Sequence, residues 1–537
     1  MNPLKYAQRM SWGAVLAAGA TAQVVLALAL ARGPLPGLNV DDALHALAGA
    51  ATWHDVVRLD LRSLYLDIYD QGRWPPVGGL LQWPALAFFG PSEATHRLGM
   101  LMWLVACVAT WAATARAAAE EVVAAAWAGV LVCLLALSSQ VLLTTSASVL
   151  CEVPGLAFML GAYGAAHAAW RRRAARLFWL AGLLLAAAWF TKWQYGIVAT
   201  LSLLVVLLRQ RRLGMKVPGE LRLFVPSALL LAIWLASPYH LREMVLYLLW
   251  KPASPSNLRD YAMTFLRAVA DATPLAKANL AATVVGVILA ILTLRRPAAI
   301  ALAVHLALAG LGSSLKDLSL RTGLWIAIPA WALAGAGWGR LLARHLPRRL
   351  ARTALAAAGG VAVVLALHTA FAVSRQFASM AWAGRDWYRP EAQFVAAEIP
   401  FGARLLTVGG WRRFISPYHI KLHGLAQNWH RRFPAREVKI AEYPSLEWEP
   451  WRLWRPSLRA LFKLRRPDTR PPRPQVAPEY VAVFNLSGDS HLAEAMADLE
   501  SRLILEPWRH RAFPGGTAVT IYRTRGWRPA VGKGTAS

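Results

Sequence analysis

A series of long apolar runs occupies the N-terminal two thirds of the chain, and this feature constrains the fold more than any other. About 20 consecutive apolar residues form a helix that crosses the hydrocarbon core of a bilayer, where every backbone amide must be bonded internally. We predict spans at approximately 11–31, 95–115, 121–138, 149–169, 177–190, 194–208, 222–237, 279–294, 298–312, 323–341 and 354–373. The sequence therefore predicts a polytopic α-helical membrane protein with about eleven transmembrane helices.

The net charge of +29 would favour nucleic-acid binding in a soluble protein, but 57% of this chain is hydrophobic and only 16% is charged. Much of the positive charge lies in short clusters between apolar runs, such as Arg171, Arg172, Arg173 and Arg176, or Arg209, Arg211, Arg212 and Lys216. Cytoplasmic loops of membrane proteins carry such an excess of Arg and Lys. We therefore expect the lipid bilayer, and no nucleic acid, as a partner.

The same basic loops predict the topology. With the N-terminus in the cytoplasm, most clusters lie inside, in loops near 116, 171–176, 209–222, 295–297 and 340–352. The segments left outside are 32–94, 139–148, 191–193, 238–278, 313–322 and the C-terminal region. The first run follows Lys5 and Arg9 as a signal peptide would, but its length favours an uncleaved helix. We expect the protein in the inner (plasma) membrane of a bacterium.

The composition changes after about residue 374, where prolines, charges and short β-rich runs appear. Residues 405–408, 480–484 and 519–522 are predicted as strands, and residues 392–398 and 491–503 as helices. The segment 429–474 is rich in Arg, Pro and Trp, which favours an irregular or interfacial region. We predict a transmembrane module at 1–373, with its first outer loop at 32–94, and an extracytoplasmic α/β domain at 374–537.

Short motifs exclude some function classes. The sequence contains no GxxxxGK[ST], GxGxxG or HExxH pattern, which argues against an ATP-driven transporter. The three cysteines fall within or beside apolar runs, at a spacing that matches neither a metal knuckle nor a disulfide framework: Cys107, Cys133 and Cys151. We interpret them as small packing residues.

Two adjacent carboxylates, Asp41 and Asp42, follow the first span within the first outer loop. Partial desolvation at a membrane surface raises the basicity of a carboxylate, so this pair could supply a general base or metal ligands. The alternative is a solvated helix N-terminus that the two side chains cap. Local chemistry alone leaves both interpretations open.

Other ionisable residues lie near the ends of the predicted spans. Glu152 could cap a helix, but ionisable groups in spans are expensive and usually functional. Lys192 could anchor its span at the interface or bind a lipid phosphate, and Arg321 could bond its own loop or clamp phosphate through its planar fork. His240 fits a hydrogen-bonded structural histidine better than a ligand, and Lys316 could pair with the neighbouring aspartate.

These residues belong to an ordered set of motifs: Asp41-Asp42, Trp74-Pro75-Pro76, Arg97, Glu152-Val153-Pro154, Phe190-Thr191-Lys192-Trp193, and Lys316 through Arg321 to Pro329. The set resembles the GT-C superfamily over roughly residues 10–340. It is most similar to the protein O-mannosyltransferase and aminoarabinose-transferase branch, the dolichyl-phosphate-mannose-protein mannosyltransferase-like family of bacteria. Trp74 stands where that family has His, and Thr322 where Tyr is common.

The resemblance implies a GT-C-like membrane module and an inverting glycosyltransferase that takes a sugar from a polyprenyl-phosphate-linked donor. The acceptor would be a glycan, a lipid or a protein on the extracytoplasmic side. We predict Asp41 as the general base and Asp42 or Glu152 as an orienting acid or a ligand of a divalent cation, Mg²⁺ or Mn²⁺. The residues predicted for the donor phosphate are Arg321, Lys192, Lys316, Arg73 and Arg97, and those for the substrate are Trp74 and His240.

Two other function classes are consistent with a polytopic chain. A proton-coupled transporter or lipid flippase predicts ionisable residues in the middle of several spans and pseudo-symmetric halves, whereas the acids here lie mostly at the outer ends of spans. A non-catalytic membrane assembly protein would use its C-terminal domain to hold partners. Both are weaker than the glycosyltransferase hypothesis, because neither accounts for the ordered motifs.

Overall fold

The computed structural model of this chain describes residues 3–71, 75–119, 121–237, 240–241, 244, 274–292, 295–313, 323–382, 388–400, 402–409, 417–429, 439–442, 477–486, 490–513 and 516–528. Two compact units account for these residues. The first, here named the helical unit, consists of Met1–Gly33, Gly72–Leu81 and Arg97–Phe377. The second, the sheet unit, consists of Pro34–Gln71, Gln82–His96 and Ala378–Ser537.

Helices dominate the described residues. In the first half of the chain they are α1 (Pro3–Arg32), α2 (Val40–Val57), α3 (Leu61–Asp70), α4 (Val77–Leu80), α5 (Trp83–Phe89), α6 (Glu93–Leu101), α7 (Leu104–Ala118), α8 (Val122–Leu137), α9 (Gln140–Ser146), α10 (Glu152–Arg172), α11 (Ala175–Thr191), α12 (Trp193–Arg212) and α13 (Val225–Leu235). They continue as α14 (Pro274–Ile291), α15 (Pro297–Ser313), α16 (Leu324–His345), α17 (Arg348–Trp382), α18 (Tyr388–Glu398), α19 (Pro417–Gln427) and α20 (Ser490–Arg502).

Several of these helices have the length and apolarity of membrane spans. Among the described residues, five could cross a bilayer unaided: Tyr6–Arg32, Glu93–Ala118, Trp193–Arg212, Leu324–His345 and Leu350–Ala381. The pair α8 and α9, bent by 80°, adds a sixth if it forms one broken span. Other predicted spans fall on shorter apolar helices such as α11, α13, α14 and α15, or on α10, which begins with Glu152. The predicted polytopic helical class is confirmed.

Small residues allow the helices of the helical unit to pack closely. A Cβ atom on Gly339 of α16 would lie 2.5 Å from the backbone oxygen of Ala124 in α8. One turn earlier, a Cβ on Gly335 would lie 2.9 Å from the backbone oxygen of Ala128. Since lipid tails are as apolar as Leu, such close backbone approach is a main source of attraction between membrane helices. The α8–α16 contact is therefore a rigid centre of this unit.

The sheet unit contains a five-stranded mixed sheet in the order β2-β1-β3-β5-β4. Its strands are β1 (Arg404–Val408), β2 (Lys439–Glu442), β3 (Tyr480–Leu486), β4 (Leu503–Phe513) and β5 (Thr517–Trp527). Strand β1 pairs in parallel with β2 and β3, whereas β5 pairs antiparallel with β3 and β4. This order confirms an α/β domain at the C-terminus.

Helices cover both faces of this sheet. Phe394 of α18 and Ile420 of α19 pack with Phe484 on one face. Leu492 and Leu499 of α20 pack on the other. The sheet unit also contains α2, α3 and α5 from the first predicted outer loop. Residues of that loop and of the C-terminal region therefore belong to one folded body.

Candidate active site

The strongest candidate in the helical unit is an ion pair between Glu152 and Lys192. Nζ of Lys192 lies 2.8 Å from Oε1 of Glu152, and the two side chains are 13% and 2% exposed. Glu152 is the first residue of α10, where a carboxylate interacts favourably with the positive end of the helix dipole. Lys192 joins α11 to α12 in extended backbone geometry. The predicted acid and the predicted cation are thus partners.

Close packing holds this pair together. A Cβ atom on Gly155, one turn into α10, would lie 2.7 Å from the ring of Tyr195 and 2.9 Å from Cγ2 of Thr191. Sγ of Cys151 donates to the backbone oxygen of Thr191 at 3.6 Å. Nζ of Lys192 also lies 5.8 Å from the centre of the Tyr195 ring, within reach of a cation–π interaction. The start of α10 therefore packs directly on the α11–α12 junction.

Aromatic side chains line the same junction. Phe190 and Trp193 lie 6.3 Å apart between ring centroids, and Phe190 and Trp234 lie 5.6 Å apart with perpendicular rings. His240 stacks on Trp234 at 3.8 Å, is 3% exposed, and its Nδ1 lies 3.0 Å from the backbone oxygen of Trp234. These contacts are those of a structural histidine. An aromatic environment excludes water, which strengthens the neighbouring ion pair.

Arg97 lies in α6 and is 3% exposed. Its guanidinium donates to the backbone oxygen of Ala147 at 3.3 Å and lies 5.8 Å from the ring centre of Phe377. Ala147 caps the C-terminus of α9 and precedes Glu152 by five residues. Arg97 therefore holds the connection that leads into the Glu152 position.

Asp41 and Asp42 occupy the first turn of α2, in the sheet unit. Asn39 is the N-cap: its Oδ1 accepts from the Asp42 amide at 2.9 Å, and its Nδ2 donates to Oδ2 of Asp42 at 2.8 Å. Asp42 is 3% exposed, and Asp41 is the more exposed of the two. The capping alternative therefore describes Asp42, whereas Asp41 has the exposure that contact with a substrate requires.

Sequence reasoning missed a polar cluster of the sheet unit, here named the Glu93 cluster: Glu93, Arg389, His419 and His423. Arg389 donates through Nε to Oε2 of Glu93 at 3.0 Å, and Nε2 of His423 lies 3.5 Å from Oε1. Nε2 of His419 lies 2.8 Å from the backbone oxygen of Leu38. The i, i+4 spacing of the two histidines places them on one face of α19 and was the available signal.

The Glu93 cluster shifts the ionisation of His423. Burial lowers the pKa of His423 below its ordinary value of 6.5. The negative charge of Glu93 opposes this shift, and the positive charges of His419 and Arg389 add to it. His423 is thus neutral near pH 7.

Four predicted site residues lie outside the described residues: Arg73, Trp74, Lys316 and Arg321. Most of the Arg-, Pro- and Trp-rich segment 429–474 lies outside them as well. Within the described ranges, no group of three or more His, Cys, Asp or Glu side chains could hold a metal ion. Cys107, Cys133 and Cys151 are buried and form no disulfide bond.

Comparison with solved structures identifies a shared fold. A structure of ArnT from Cupriavidus metallidurans bound to undecaprenyl phosphate matches with a TM-score of 0.55 at 15% sequence identity. The alignment covers 94% of this chain and 96% of that chain. The same protein in the apo state matches with a TM-score of 0.53, at the same identity and coverage. No protein-family model and no curated protein sequence matches this chain.

A match over nearly the whole of both chains includes the helices and the C-terminal domain. The fold expected from the resemblance to the GT-C superfamily is therefore confirmed. At 15% identity the likeness extends to the fold alone.

Proposed function

We propose that this chain is a membrane glycosyltransferase that takes a sugar from a polyprenyl-phosphate-linked donor and transfers it to an acceptor on the extracytoplasmic side. The observation that carries the proposal is the fold shared with ArnT, one structure of which holds undecaprenyl phosphate. The ordered motifs of the sequence point to the same donor class independently of that comparison. Fold alone does not define activity, so the chemistry must come from particular residues.

Transfer from such a donor requires one bond to form as another breaks. The acceptor hydroxyl oxygen attacks the anomeric carbon while the bond from this carbon to the phosphate oxygen breaks, which inverts the configuration. Asp41 takes the proton of the attacking hydroxyl, and its exposure at the first turn of α2 supports this role. Asp42 orients the turn through its hydrogen bonds with Asn39.

The departing polyprenyl phosphate carries two negative charges where the donor carried one, so a cation stabilises the transition state more than the ground state. Lys192 is the described residue best suited to this role, because its ammonium is held by Glu152 in a largely water-free environment. Arg321, Lys316 and Arg73 are proposed as further donor-binding cations. Arg97 contributes by holding the connection before Glu152.

The predicted cofactor of the transfer reaction is a divalent cation, Mg²⁺ or Mn²⁺. Asp42 and Glu152 are the predicted ligands, and each already has one oxygen bound to a protein donor, the Asn39 amide and the Lys192 ammonium. A bound divalent cation would add positive charge beside the leaving phosphate. Transfer measured with and without EDTA, followed by Mg²⁺ or Mn²⁺ addition, tests this point.

The test of the proposed function uses purified protein in vesicles with a radiolabelled polyprenyl-phosphate sugar. Loss of a general base lowers rates by about 10²- to 10⁴-fold, so Asp41→Asn should abolish measurable transfer. The matched control is Asp60→Asn. Asp60 lies in the same predicted loop and caps α3 by accepting from the Ser63 amide at 3.0 Å, and Asn is an equally good capping residue.

Full transfer by Asp41→Asn would remove Asp41 as the base. Wild-type protein that transfers sugar from none of the donors tested, but moves lipid across the vesicle membrane, would favour the flippase alternative. The acceptor is then identified by mass spectrometry of the surface glycans and lipids of a deletion strain.

A further inference from the structure

Side chains of α18 and α19 form hydrogen bonds with the turn that precedes Asp41 and Asp42. Nε2 of His419 donates to the backbone oxygen of Leu38 at 2.8 Å, and the side chain is 1% exposed. Leu38 stands directly before Asn39, the N-cap of α2. Arg389 reaches the same segment, donating to the backbone oxygen of Leu35 at 3.4 Å. These carbonyls are thus bonded by α18 and α19.

Glu93 links α18 and α19. Its carboxylate, 10% exposed, accepts two hydrogen bonds from Arg389 of α18, at 3.0 and 2.5 Å. Its other oxygen lies 3.5 Å from Nε2 of His423, one turn after His419 on α19. An Arg–carboxylate pair of this kind fixes direction as well as distance. The Glu93 cluster therefore sets the position of the helix that carries His419.

Helix α19 also holds the other end of α2. Trp429, just beyond the C-terminus of α19, contacts His54 edge to face at 5.2 Å, and its backbone oxygen accepts from Arg58 at 3.4 Å. Both partners lie at the C-terminal end of α2. The start of α19 thus bonds the start of α2, and its end contacts the end of α2. The two helices run in the same direction along their shared contact.

We propose that His419 is a positioning residue for the transfer reaction, through which α19 fixes the α2 N-terminus and hence the Asp41 carboxylate. This inference rests on the proposed function and assigns a role to the C-terminal region in it. His419 acts through the backbone, because its hydrogen bond fixes the carbonyl group of Leu38. Leu38 precedes Asn39, whose side chain caps α2 and thereby positions the first turn of the helix. A base displaced by about 1 Å can lose about 100-fold in rate.

The experiment compares His419→Leu with His419→Gln in vesicle-embedded protein. Leucine removes the donor, whereas the glutamine amide can replace the Nε2–H of the imidazole. We expect kcat to fall about 10- to 100-fold in His419→Leu, with the donor KM changed less than about threefold, and to recover in His419→Gln. His510→Leu is the matched control, because His510 is exposed on β4 and its ring forms a hydrogen bond with the hydroxyl group of Thr520.

A second measurement does not depend on activity. Hydrogen exchange followed by mass spectrometry should accelerate at the amides of Asp42 and Ala43, which bond Asn39, in His419→Leu only. Unchanged exchange there would overturn the proposal, as would faster exchange with unchanged kcat. A wild-type protein without transfer activity would instead overturn the proposed function and with it the catalytic role of His419, even if exchange still reports the contact.

Discussion

The Glu152–Lys192 pair is buried, which makes its two charges dependent on each other. Removing one partner leaves an uncompensated charge in an apolar environment, which costs about 3–5 kcal/mol. We therefore expect Glu152→Gln and Lys192→Met each to lower the free energy of unfolding by an amount in that range. Thermal unfolding in detergent, with a ligand-free sample of each variant, measures the loss.

The double variant Glu152→Gln/Lys192→Met separates pairing from packing. If the cost of each single variant is mainly an unpaired charge, the double variant should be more stable than either single variant, because both charges are gone. Additive losses would show that the two side chains contribute independently, contrary to the 2.8 Å contact.

The two aspartates of α2 should differ in their effect on catalysis. Asp42→Asn keeps an oxygen that can accept from Asn39, so the turn survives and transfer should fall less than about tenfold. Asp41→Asn removes the proposed base and should reduce transfer by about 100-fold or more. Initial rates at saturating donor decide between them. The reverse ranking would assign the base to Asp42.

The Glu93 cluster predicts that the stability of α19 depends on pH. Since burial lowers the pKa of His423 in the folded state, the unfolded chain binds this proton more readily, and stability falls as the pH drops below about 6.5. Glu93 opposes the effect, and Arg389 and His419 reinforce it. After correction for the slower intrinsic exchange at low pH, the amides of α19 in the wild type should lose protection against hydrogen exchange between pH 7.5 and about 5.5.

His423→Gln is the control for this pH effect. Glutamine keeps a hydrogen-bonding side chain but does not titrate, so the loss of protection at α19 should shrink, while the protection of β3 should be the same as in the wild type. An equal response in both proteins would remove His423 as the source of the pH dependence.

Helix packing predicts opposite signs for two glycine substitutions. Gly339→Ala would bring a Cβ within 2.5 Å of the Ala124 carbonyl and should destabilise the protein by about 1–3 kcal/mol. Gly360 of α17 has nothing within 4 Å of such a Cβ, so Gly360→Ala should stabilise by up to about 1 kcal/mol through helix propensity. Unfolding midpoints in one detergent measure both. Equal effects would contradict the close α8–α16 contact.

Some elements of this fold carry a local sequence pattern that predicts them, whereas others do not. Apolar runs predicted the helical fold because a bilayer tolerates little else, and short β-rich runs predicted β1, β3 and β5. Strands β2 and β4 were missed; in β4 the polar residues from Arg509 to Arg511 lie at an exposed edge of the sheet and interrupt any β-rich run. The bond between Lys192 and Glu152, 40 residues apart, and that between His419 and Leu38 are set by tertiary packing, which no local pattern encodes.

The positive charges of the chain include exposed clusters between apolar runs and a lysine that is largely buried. The basic clusters near Arg171 and Arg209 are exposed, as topology signals require, whereas Lys192 is largely buried beside Glu152. Net charge alone therefore says nothing about the donor site. Lys192, which Glu152 holds in place, is the cation proposed to recognise the lipid phosphate, and ligand binding tests this role.

Binding of the lipid carrier should stabilise the folded chain. A ligand that binds only the native state adds about 2.7 kcal/mol at 100 times its Kd, so undecaprenyl phosphate should raise the unfolding temperature of the wild type. Undecaprenol, which has the same chain without the phosphate, should raise it less.

Lys192→Met should reduce the difference between the two lipids, because the ammonium that contacts Glu152 is the proposed phosphate partner. Lys216→Met, at an exposed lysine of a predicted cytoplasmic cluster, should leave the difference unchanged. Equal stabilisation by both lipids in the wild type would show that the chain recognises the isoprenoid alone, and would remove Lys192 from the donor site.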